Sequence, residues 1–182
     1  MPSPTGLLTA QDLSRMPDDG RFYELVRGEL VEVPPAKPGS SEIAVLISAA
    51  LVNFVYPRRL GMVCGADGGF ILHRNPDTVR APDAAFIRAD RMPTGQQRDF
   101  YGESPDLAVE VLSPSDRRRK VLEKIEDYLS AGVRLVWLVD PRARRVTVCL
   151  PDRTTRSLGA SDVLDGGDVL PGFELPLADL FS

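Results

Sequence analysis

Two apolar, strand-like runs are each interrupted by a carboxylate. Asp83 stands in Arg80-Ala-Pro-Asp-Ala-Ala-Phe-Ile, and Glu110 stands in Asp106-Leu-Ala-Val-Glu-Val-Leu-Ser-Pro-Ser. Strands with such neighbours are predicted to be buried, where a carboxylate is costly unless it is paired, protonated or bound to a cation. The fold must therefore give each acid a partner, and the two together indicate a metal site.

Each acid also has a simpler explanation. Asp83 can begin a strand directly after Pro82, with its carboxylate in solvent or paired with Arg80. Glu110 can face solvent on an edge strand. The metal site is the favoured interpretation for both acids.

Length and charge limit the architecture and the partners. With 182 residues, the chain is predicted to form one α/β domain, in which residues 1–20 are a docking segment and residues 151–182 lap over the core. The formal net charge of −4 argues against a generally basic nucleic-acid coat. Any contact with a polyanion must then use a local basic patch or a bound cation.

Several classes of site are excluded by the residues present. Cys64 and Cys149 have no Cys-x-x-Cys or Cys/His spacing, so they predict buried, reduced thiols. His73 is the only histidine and no Gly-x-Ser-x-Gly elbow accompanies it, which excludes a serine-hydrolase triad and the histidine-metal nucleases. The cluster Gly65-Ala-Asp-Gly-Gly69 lacks the lysine and spacing of a nucleotide-phosphate loop.

The chain gives no sign of a membrane segment. No charged-then-apolar leader opens it, and the apolar stretch from Ile43 to Val55 is short and interrupted by Ser48 and Asn53. A soluble, cytoplasmic protein without membrane contacts is predicted.

The first half of the chain predicts a hairpin, a helix and several strands. Residues 22–33 alternate around Gly28, which is typical of a hairpin with one wet face. Residues 42–55 predict a buried helix, apolar almost all round, with Ser40 or Ser41 as its cap. Strand character follows at both ends of residues 61–72 and again in residues 79–87, and residues 88–105 predict a surface loop.

The second half predicts the order strand, helix, strand, strand. The strands are residues 107–112, 135–139 and 146–150, and Ser115 is the predicted cap of a helix that closes at Ala131-Gly132. At about 100° per residue, this helix has an apolar stripe formed by Val121, Leu122, Ile125, Tyr128 and Leu129. Lys124 lies closer to that stripe than Lys120 does, so Lys124 is the better candidate for reaching a partly buried site, with Lys120 as the fallback.

An acid on one strand, a second acid on the next and a nearby lysine resemble the core of the PD-(D/E)XK nuclease superfamily. The chain resembles more narrowly the Uma2 family of restriction-endonuclease-like proteins. The resemblance rests on Val79-Arg-Ala-Pro-Asp83, Asp106-Leu-Ala-Val-Glu-Val-Leu-Ser-Pro-Ser115, the pair Lys124 and Tyr128, and Ala131-Gly-Val-Arg-Leu-Val-Trp-Leu-Val-Asp-Pro141. It extends from about Gly20 to the C-terminus.

The resemblance implies a restriction-endonuclease-like fold, a mixed β-sheet flanked by helices. It also implies that Asp83, Glu110 and the carbonyl of Val111 hold Mg²⁺, with Mn²⁺ as a substitute, and that Lys124 orients or deprotonates a water. Glu42 resembles the auxiliary acid that some superfamily members add from their first helix. One position departs from the pattern, because Leu112 stands where the superfamily has its lysine.

Other interpretations of these helix residues stay open. Glu42 can simply favour the positive end of a helix dipole. Lys124, with Glu123, Glu126 and Asp127 close by, can be a solvated ion-pair partner. The run Arg117-Arg-Arg-Lys120 can be a phosphate contact or a solvated face.

We therefore expect a Mg²⁺-dependent endonuclease that hydrolyses DNA phosphodiester bonds. The alternative is a catalytically inactive nuclease fold that serves as a nucleic-acid-binding or regulatory module, and a third possibility is a hydrolase of small phosphoesters. A one-site domain generally needs two copies to cut two strands, so a homodimer is also expected.

Overall fold

A computed structural model describes residues 6–92 and 100–182. The predicted docking segment and the predicted loop at 88–105 therefore lie partly outside the described residues. The helices are α1 (Ala10–Ser14), α2 (Pro38–Val55), α3 (Arg118–Ser130) and α4 (Leu177–Leu180). The strands are β1 (Phe22–Val26), β2 (Glu29–Val33), β3 (Gly61–Gly65), β4 (Phe70–His73), β5 (Thr78–Arg80), β6 (Ala84–Arg88), β7 (Leu107–Val111), β8 (Leu135–Asp140), β9 (Arg145–Cys149), β10 (Thr155–Gly159), β11 (Val163–Gly166) and β12 (Leu170–Pro176).

A six-stranded mixed sheet forms the centre of the fold. Its order is β10-β9-β8-β7-β6-β3, and only the β7–β8 pair is parallel. Helix α3 forms the crossover connection that two adjacent parallel strands require. Alternate residues of β7 enter different clusters, with Val109 on the face covered by α2 and Ala108 on the face covered by α3. The predicted mixed sheet flanked by helices is confirmed.

The predicted strand at residues 79–87 is in fact two strands in different sheets. Strand β5 pairs with β1 and β4 in a four-stranded sheet, whereas β6 pairs with β3 and β7 in the six-stranded sheet. The break falls at Ala81-Pro82-Asp83, where Pro82 has no N–H to donate to a ladder. The two sheets therefore meet beside Asp83.

The predicted hairpin at residues 22–33 is confirmed. Strands β1 and β2 pair in register from Phe22–Val33 to Val26–Glu29. The two loop residues, Arg27 and Gly28, both have positive φ (51° and 79°), as a tight hairpin turn requires. The prediction of one wet face is wrong at Glu24, which is only 3% exposed. This acid lies in the four-stranded sheet where that sheet meets α3.

Both long helices begin elsewhere than predicted. Helix α2 has Lys37 at its N-cap and Pro38 in its first turn, and helix α3 has Arg117 at its N-cap. Neither cap makes a side-chain hydrogen bond, so serine capping at Ser40, Ser41 or Ser115 is wrong. Proline in the first turn has a pre-set φ and lacks an N–H that would be unpaired there anyway, which favours the earlier start of α2. The end of α3 at Ala131-Gly132 is confirmed.

Helix α2 is buried along one row, not all round. Ile43, Ile47, Leu51 and Val55 enter the core, whereas Val45 is 64% exposed. By length and composition α2 is able to cross a bilayer, since its 18 residues have a mean hydropathy of 1.4. A core helix passes the same test, and the buried row packs α2 on β3, β6 and β7.

Helix α1 packs on one sheet, and β12 and α4 pack on the main core. Helix α1 begins with a capping box between Thr9 and Asp12, and its Ala10 and Leu13 lie against Leu25. At the other end, β12 and α4 contribute apolar side chains to the main core, and these are Leu170, Phe173, Leu177, Leu180 and Phe181. Trp137 is fully buried and stacks on Phe173 with ring centroids 5.6 Å apart.

Cys64 and Cys149 are buried and free, as predicted, and burial raises the pKa of both thiols. We expect the folded protein to react with a thiol reagent at least roughly a hundredfold more slowly than the unfolded chain, in which both thiols are accessible. Timed modification with and without denaturant, followed by mass spectrometry, measures this. A cysteine that reacts equally fast in both states contradicts its burial.

Candidate active site

Glu110 is the central acid of the site. It lies on β7, on the face covered by α3, and is 9% exposed. Tyr128 of α3 donates its hydroxyl hydrogen to Glu110 Oε1 at 2.6 Å. Lys124 Nζ lies 3.3 Å from Oε1 and 3.1 Å from Oε2 of the same carboxylate. One helix thus fixes the carboxylate with two donors spaced one turn apart.

Asp83 is held at the same end of the sheet. The register pairs Ala84 with Val109, so Asp83 and Glu110 are the next residues along the two antiparallel strands. The backbone N–H of Val111 donates to Asp83 Oδ2 at 2.6 Å. The structure therefore brings together the two acids that the sequence singled out, and Asp83 is paired with backbone and not with Arg80.

Lys124 joins two acids from different sheets. Besides Glu110, its Nζ lies 3.2 Å from Glu24 Oε1, and 22% of its side chain is exposed. The side chain of Lys120, by contrast, is exposed on α3. Leu122, a member of the predicted apolar stripe, is 54% exposed, because the buried face of α3 is centred closer to Lys124 and Tyr128 than to Leu122. Lys124 is thus the lysine that reaches the acids.

Arg80 forms hydrogen-bonded ion pairs with Glu24 and with Asp127. Its Nη1 donates to Glu24 Oε2 at 2.8 Å, and its Nε and Nη2 donate to Asp127 Oδ2 at 3.0 and 2.6 Å. The N–H of Ala81 donates to Glu24 Oε1 at 3.1 Å. Glu24, Arg80 and Asp127 are all buried, so this ion-pair chain fixes β1, β5 and α3 relative to one another.

Comparison with known proteins identifies the family and the fold. Residues 10–178 match the model of the Uma2 family, which is described as "Putative restriction endonuclease". The chain belongs to the Uma2 family. No curated protein matches the sequence. Among solved structures, a "putative nuclease belonging to DUF820" from Anabaena variabilis is similar, with a TM-score of 0.84 and 22% identity over 96% of this chain and 97% of the other. At that identity the likeness shows the fold.

The charges of this Uma2 site are not balanced within it. Four carboxylates (Glu24, Asp83, Glu110 and Asp127) surround two cations, Arg80 and Lys124, which leaves a formal charge of −2 when all are ionised. Arg27 approaches Asp127 only from solvent, at 3.9 Å with 68% of its side chain exposed. A bound cation would therefore find uncompensated negative charge.

The pKa shifts follow this imbalance. Burial raises the pKa of Glu110 to about 7. Lys124 lowers this pKa, whereas the negative charges of Asp83 and Glu24 raise it further. Burial likewise raises the pKa of Asp83. Burial acts in the same direction on Glu24, but Lys124 and Arg80 outweigh it and lower the pKa of that acid. Glu24 is thus the ionised partner of both cations, whereas Glu110 and Asp83 are the acids that gain most from a further cation.

Glu42 lies elsewhere in this Uma2 chain. It is exposed in the second turn of α2, whose first turn has no acidic residue, and it lines a 230 Å³ cavity with Pro141, Arg144 and Phe181. Helix α2 packs on the face of the sheet opposite α3, and among the described residues no hydrogen bond or ion pair joins Glu42 to Asp83 or Glu110. Its auxiliary role stays a prediction, as does that of the Val111 carbonyl.

Sequence reasoning missed Glu24, Arg80 and Asp127 as members of the site. The signal for Glu24 was the one that found Glu110, an acid between apolar neighbours, here Tyr23 and Leu25. Strand alternation instead assigned Glu24 to the wet face of a hairpin. Only the packing of the four-stranded sheet against α3 buries it.

Proposed function

We propose that this Uma2 protein is a Mg²⁺-dependent endonuclease that hydrolyses DNA phosphodiester bonds. The observation that carries the proposal is the ammonium of Lys124 at 3.1 Å from Glu110, beside Asp83, at the end of two adjacent strands. Two acids and a lysine thus lie close together, although Leu112 occupies the position where the superfamily has its lysine. The lysine reaches the site from the helix.

The residues fit a hard divalent cation. Mg²⁺ binds through one or two carboxylates, keeps several waters and takes further oxygens from substrate phosphate. Asp83 and Glu110 supply those carboxylates, the Val111 carbonyl can add a third oxygen, and the site has uncompensated negative charge. Within residues 6–92 and 100–182, no group of three or more His, Cys, Asp or Glu side chains is placed to hold a metal ion by itself.

When bound, Mg²⁺ would lower the pKa of a coordinated water and offset the charge that develops on the phosphoryl oxygens. The protein's own residues supply orientation. Lys124 holds a donor where a water or a phosphate oxygen would lie, and it orients that group as an ammonium, because Glu110 and Glu24 raise the pKa of Lys124 against the effect of burial. Tyr128 keeps the Glu110 carboxylate in one rotamer, and Glu24, held by Arg80, keeps the Lys124 ammonium in place.

Cleavage of supercoiled plasmid tests the proposal. Wild type and Asp83→Ala are compared in Mg²⁺, in Mn²⁺ and in chelator, with circular dichroism to check folding. We expect nicking by wild type in either metal, none in chelator, and a loss of about a hundredfold or more in Asp83→Ala. No cleavage by folded wild type of plasmid or of single-stranded DNA, or equal cleavage by both proteins, contradicts the proposal.

The alternative is a nuclease fold that binds nucleic acid without turnover, and the observation that favours it is Leu112 at the superfamily's lysine position. It predicts metal-independent DNA binding and no nicking in any metal. Turnover of a model phosphodiester without DNA affinity would instead favour a hydrolase of small phosphoesters.

Two further properties belong to the proposal. A homodimer, which would place one site on each DNA strand, predicts a dimeric mass in solution scattering at working concentration; a monomeric mass contradicts it. A cytoplasmic location, where chromosomal or invading DNA is accessible, is testable by fractionation of cells that express the tagged protein.

A further inference from the structure

We propose that two basic segments at the site edge of the six-stranded sheet form a binding track for the sugar-phosphate backbone of nucleic acid. The first segment is Arg117, Arg118 and Lys120, and the second is Arg142 and Arg144. The inference rests on the proposed function, because it names the surface by which the substrate would reach Asp83 and Glu110.

The topology places both segments at the same edge as the acids. Strands β7 and β8 are parallel, with Val111 paired to Val139, so their carboxyl ends lie side by side. The chain leaves β7 directly after Glu110 and Val111 and reaches Arg117 six residues later. It leaves β8 at Asp140 and enters the turn that contains Arg142 and Arg144. Both turns thus flank the end of the sheet that carries the candidate site.

The first segment carries exposed cationic side chains that form no ion pair with the described residues. Arg117, Arg118 and Lys120 are exposed, and among the described residues none of them forms an ion pair. Arg119 differs, because Glu123 lies 3.4 Å from it. The first turn of α3 has no acidic residue and its N-cap has no side-chain hydrogen bond, so its backbone N–H groups add to the positive potential.

The second segment extends the positive surface past the neighbouring strand. Arg142 and Arg144 are exposed in the β8–β9 turn, and within the described part of the chain neither forms an ion pair, although Arg144 lines the same cavity as Glu42. The two segments thus place five exposed cations at the edge that carries the acids, in a protein whose formal net charge is −4. Phosphodiester backbones bind such surfaces by counterion release, without reading bases.

The opposite edge of the sheet offers a charge-matched control. Arg58 and Arg59 precede β3, whose Gly61 pairs with Arg88 at the far end of β6, and Arg134 precedes β8. These three arginines are also exposed. They lie at the edge away from Asp83 and Glu110, so removing them changes the net charge equally and leaves the proposed track intact.

The experiment compares three variants with wild type by fluorescence anisotropy on a short DNA duplex, across a salt series, in chelator so that no cleavage occurs. The track variant is Arg117→Gln/Arg118→Gln/Lys120→Gln, and the control is Arg58→Gln/Arg59→Gln/Arg134→Gln. A charge-preserving variant, Arg117→Lys/Arg118→Lys, tests whether charge is what matters. Thermal unfolding checks that all four proteins are folded.

We expect the track variant to lose about tenfold or more in affinity and its salt slope to fall by about 2 to 3, with little change in the other two variants. Equal losses in the track and control variants, an unchanged track variant, or no DNA binding by wild type would overturn the inference. Failure of the proposed function is distinguishable, since wild type would then bind DNA through the track but not cleave it in Mg²⁺ or Mn²⁺.

Discussion

Lys124→Ala is expected to reduce metal-dependent DNA cleavage by about a hundred- to a thousandfold, the range for loss of a positioned donor that stabilises developing charge. The ammonium of Lys124 lies within 3.3 Å of both Glu110 oxygens and 3.2 Å from Glu24. Its removal takes away the donor that would orient a water or phosphate oxygen. Single-turnover cleavage with saturating enzyme measures the loss without a contribution from product release.

Lys120→Ala is the matched control for this prediction. Lys120 lies one turn earlier on α3, in the proposed binding track and away from the acids, so its loss should weaken DNA binding but leave the single-turnover rate at saturating enzyme within about threefold of wild type. If Lys120→Ala is the variant that loses cleavage and Lys124→Ala is not, the assignment of the lysine is wrong. DNA affinity measured in chelator separates a loss of binding from a loss of chemistry.

Arg80→Met is expected to lower the free energy of unfolding by about 3 to 5 kcal/mol. Only 6% of the Arg80 side chain is exposed, and it is the cation between Glu24 and Asp127. Methionine fills a similar volume, so the loss reports two buried carboxylates deprived of their partner and not a cavity. Urea unfolding followed by circular dichroism, near neutral pH, measures it.

The exposed pair Arg88–Asp90 provides the comparison. The arginine lies 2.8 Å from the carboxylate, but 42% and 64% of the two side chains are exposed. Because solvent screens such a pair, Arg88→Met should cost no more than about 1 kcal/mol. Equal effects of the Arg80 and Arg88 substitutions would show that the buried chain Glu24–Arg80–Asp127 does not hold the four-stranded sheet and α3 together.

The parts of the fold that are local in sequence were predictable. The succession β7, α3, β8 follows from two apolar runs with an amphipathic segment between them, and Gly132 marks the end of the helix. Helical geometry also placed Lys124 closer to the buried face than Lys120. These features depend on neighbours within a few turns, which periodicity describes well.

The parts that depend on distant contacts were not predictable. Glu24 and Arg80 are 56 residues apart, and alternation along one hairpin says nothing about a second sheet packing against α3. The split of residues 79–87 into β5 and β6 depends on which sheet each half joins. Helix starts were missed because α2 and α3 begin without a side-chain cap, so serine residues nearby were misleading.

The acids that mark the site were predictable because burial and charge conflict there. Asp83 and Glu110 break apolar runs; the structure buries Glu110 and half-buries Asp83, and burial raises the pKa of each. Folding raises the pKa of Glu110 from 4.5 to about 7, so the unfolded chain releases this proton first and the stability of the fold declines as the pH rises from about 4.5 to about 7. A neutral isostere at this position should therefore leave the protein folded.

Calorimetric titration of wild type and Glu110→Gln with Mn²⁺ tests the central claim most directly, namely that the carboxylates of Asp83 and Glu110 hold a divalent cation. The glutamine keeps an oxygen that can accept from Tyr128 and Lys124 but removes the negative charge. We predict saturable binding by wild type and its loss in Glu110→Gln, with thermal stability retained. Unchanged Mn²⁺ binding in the folded variant would show that Glu110 is not a ligand and would contradict the account.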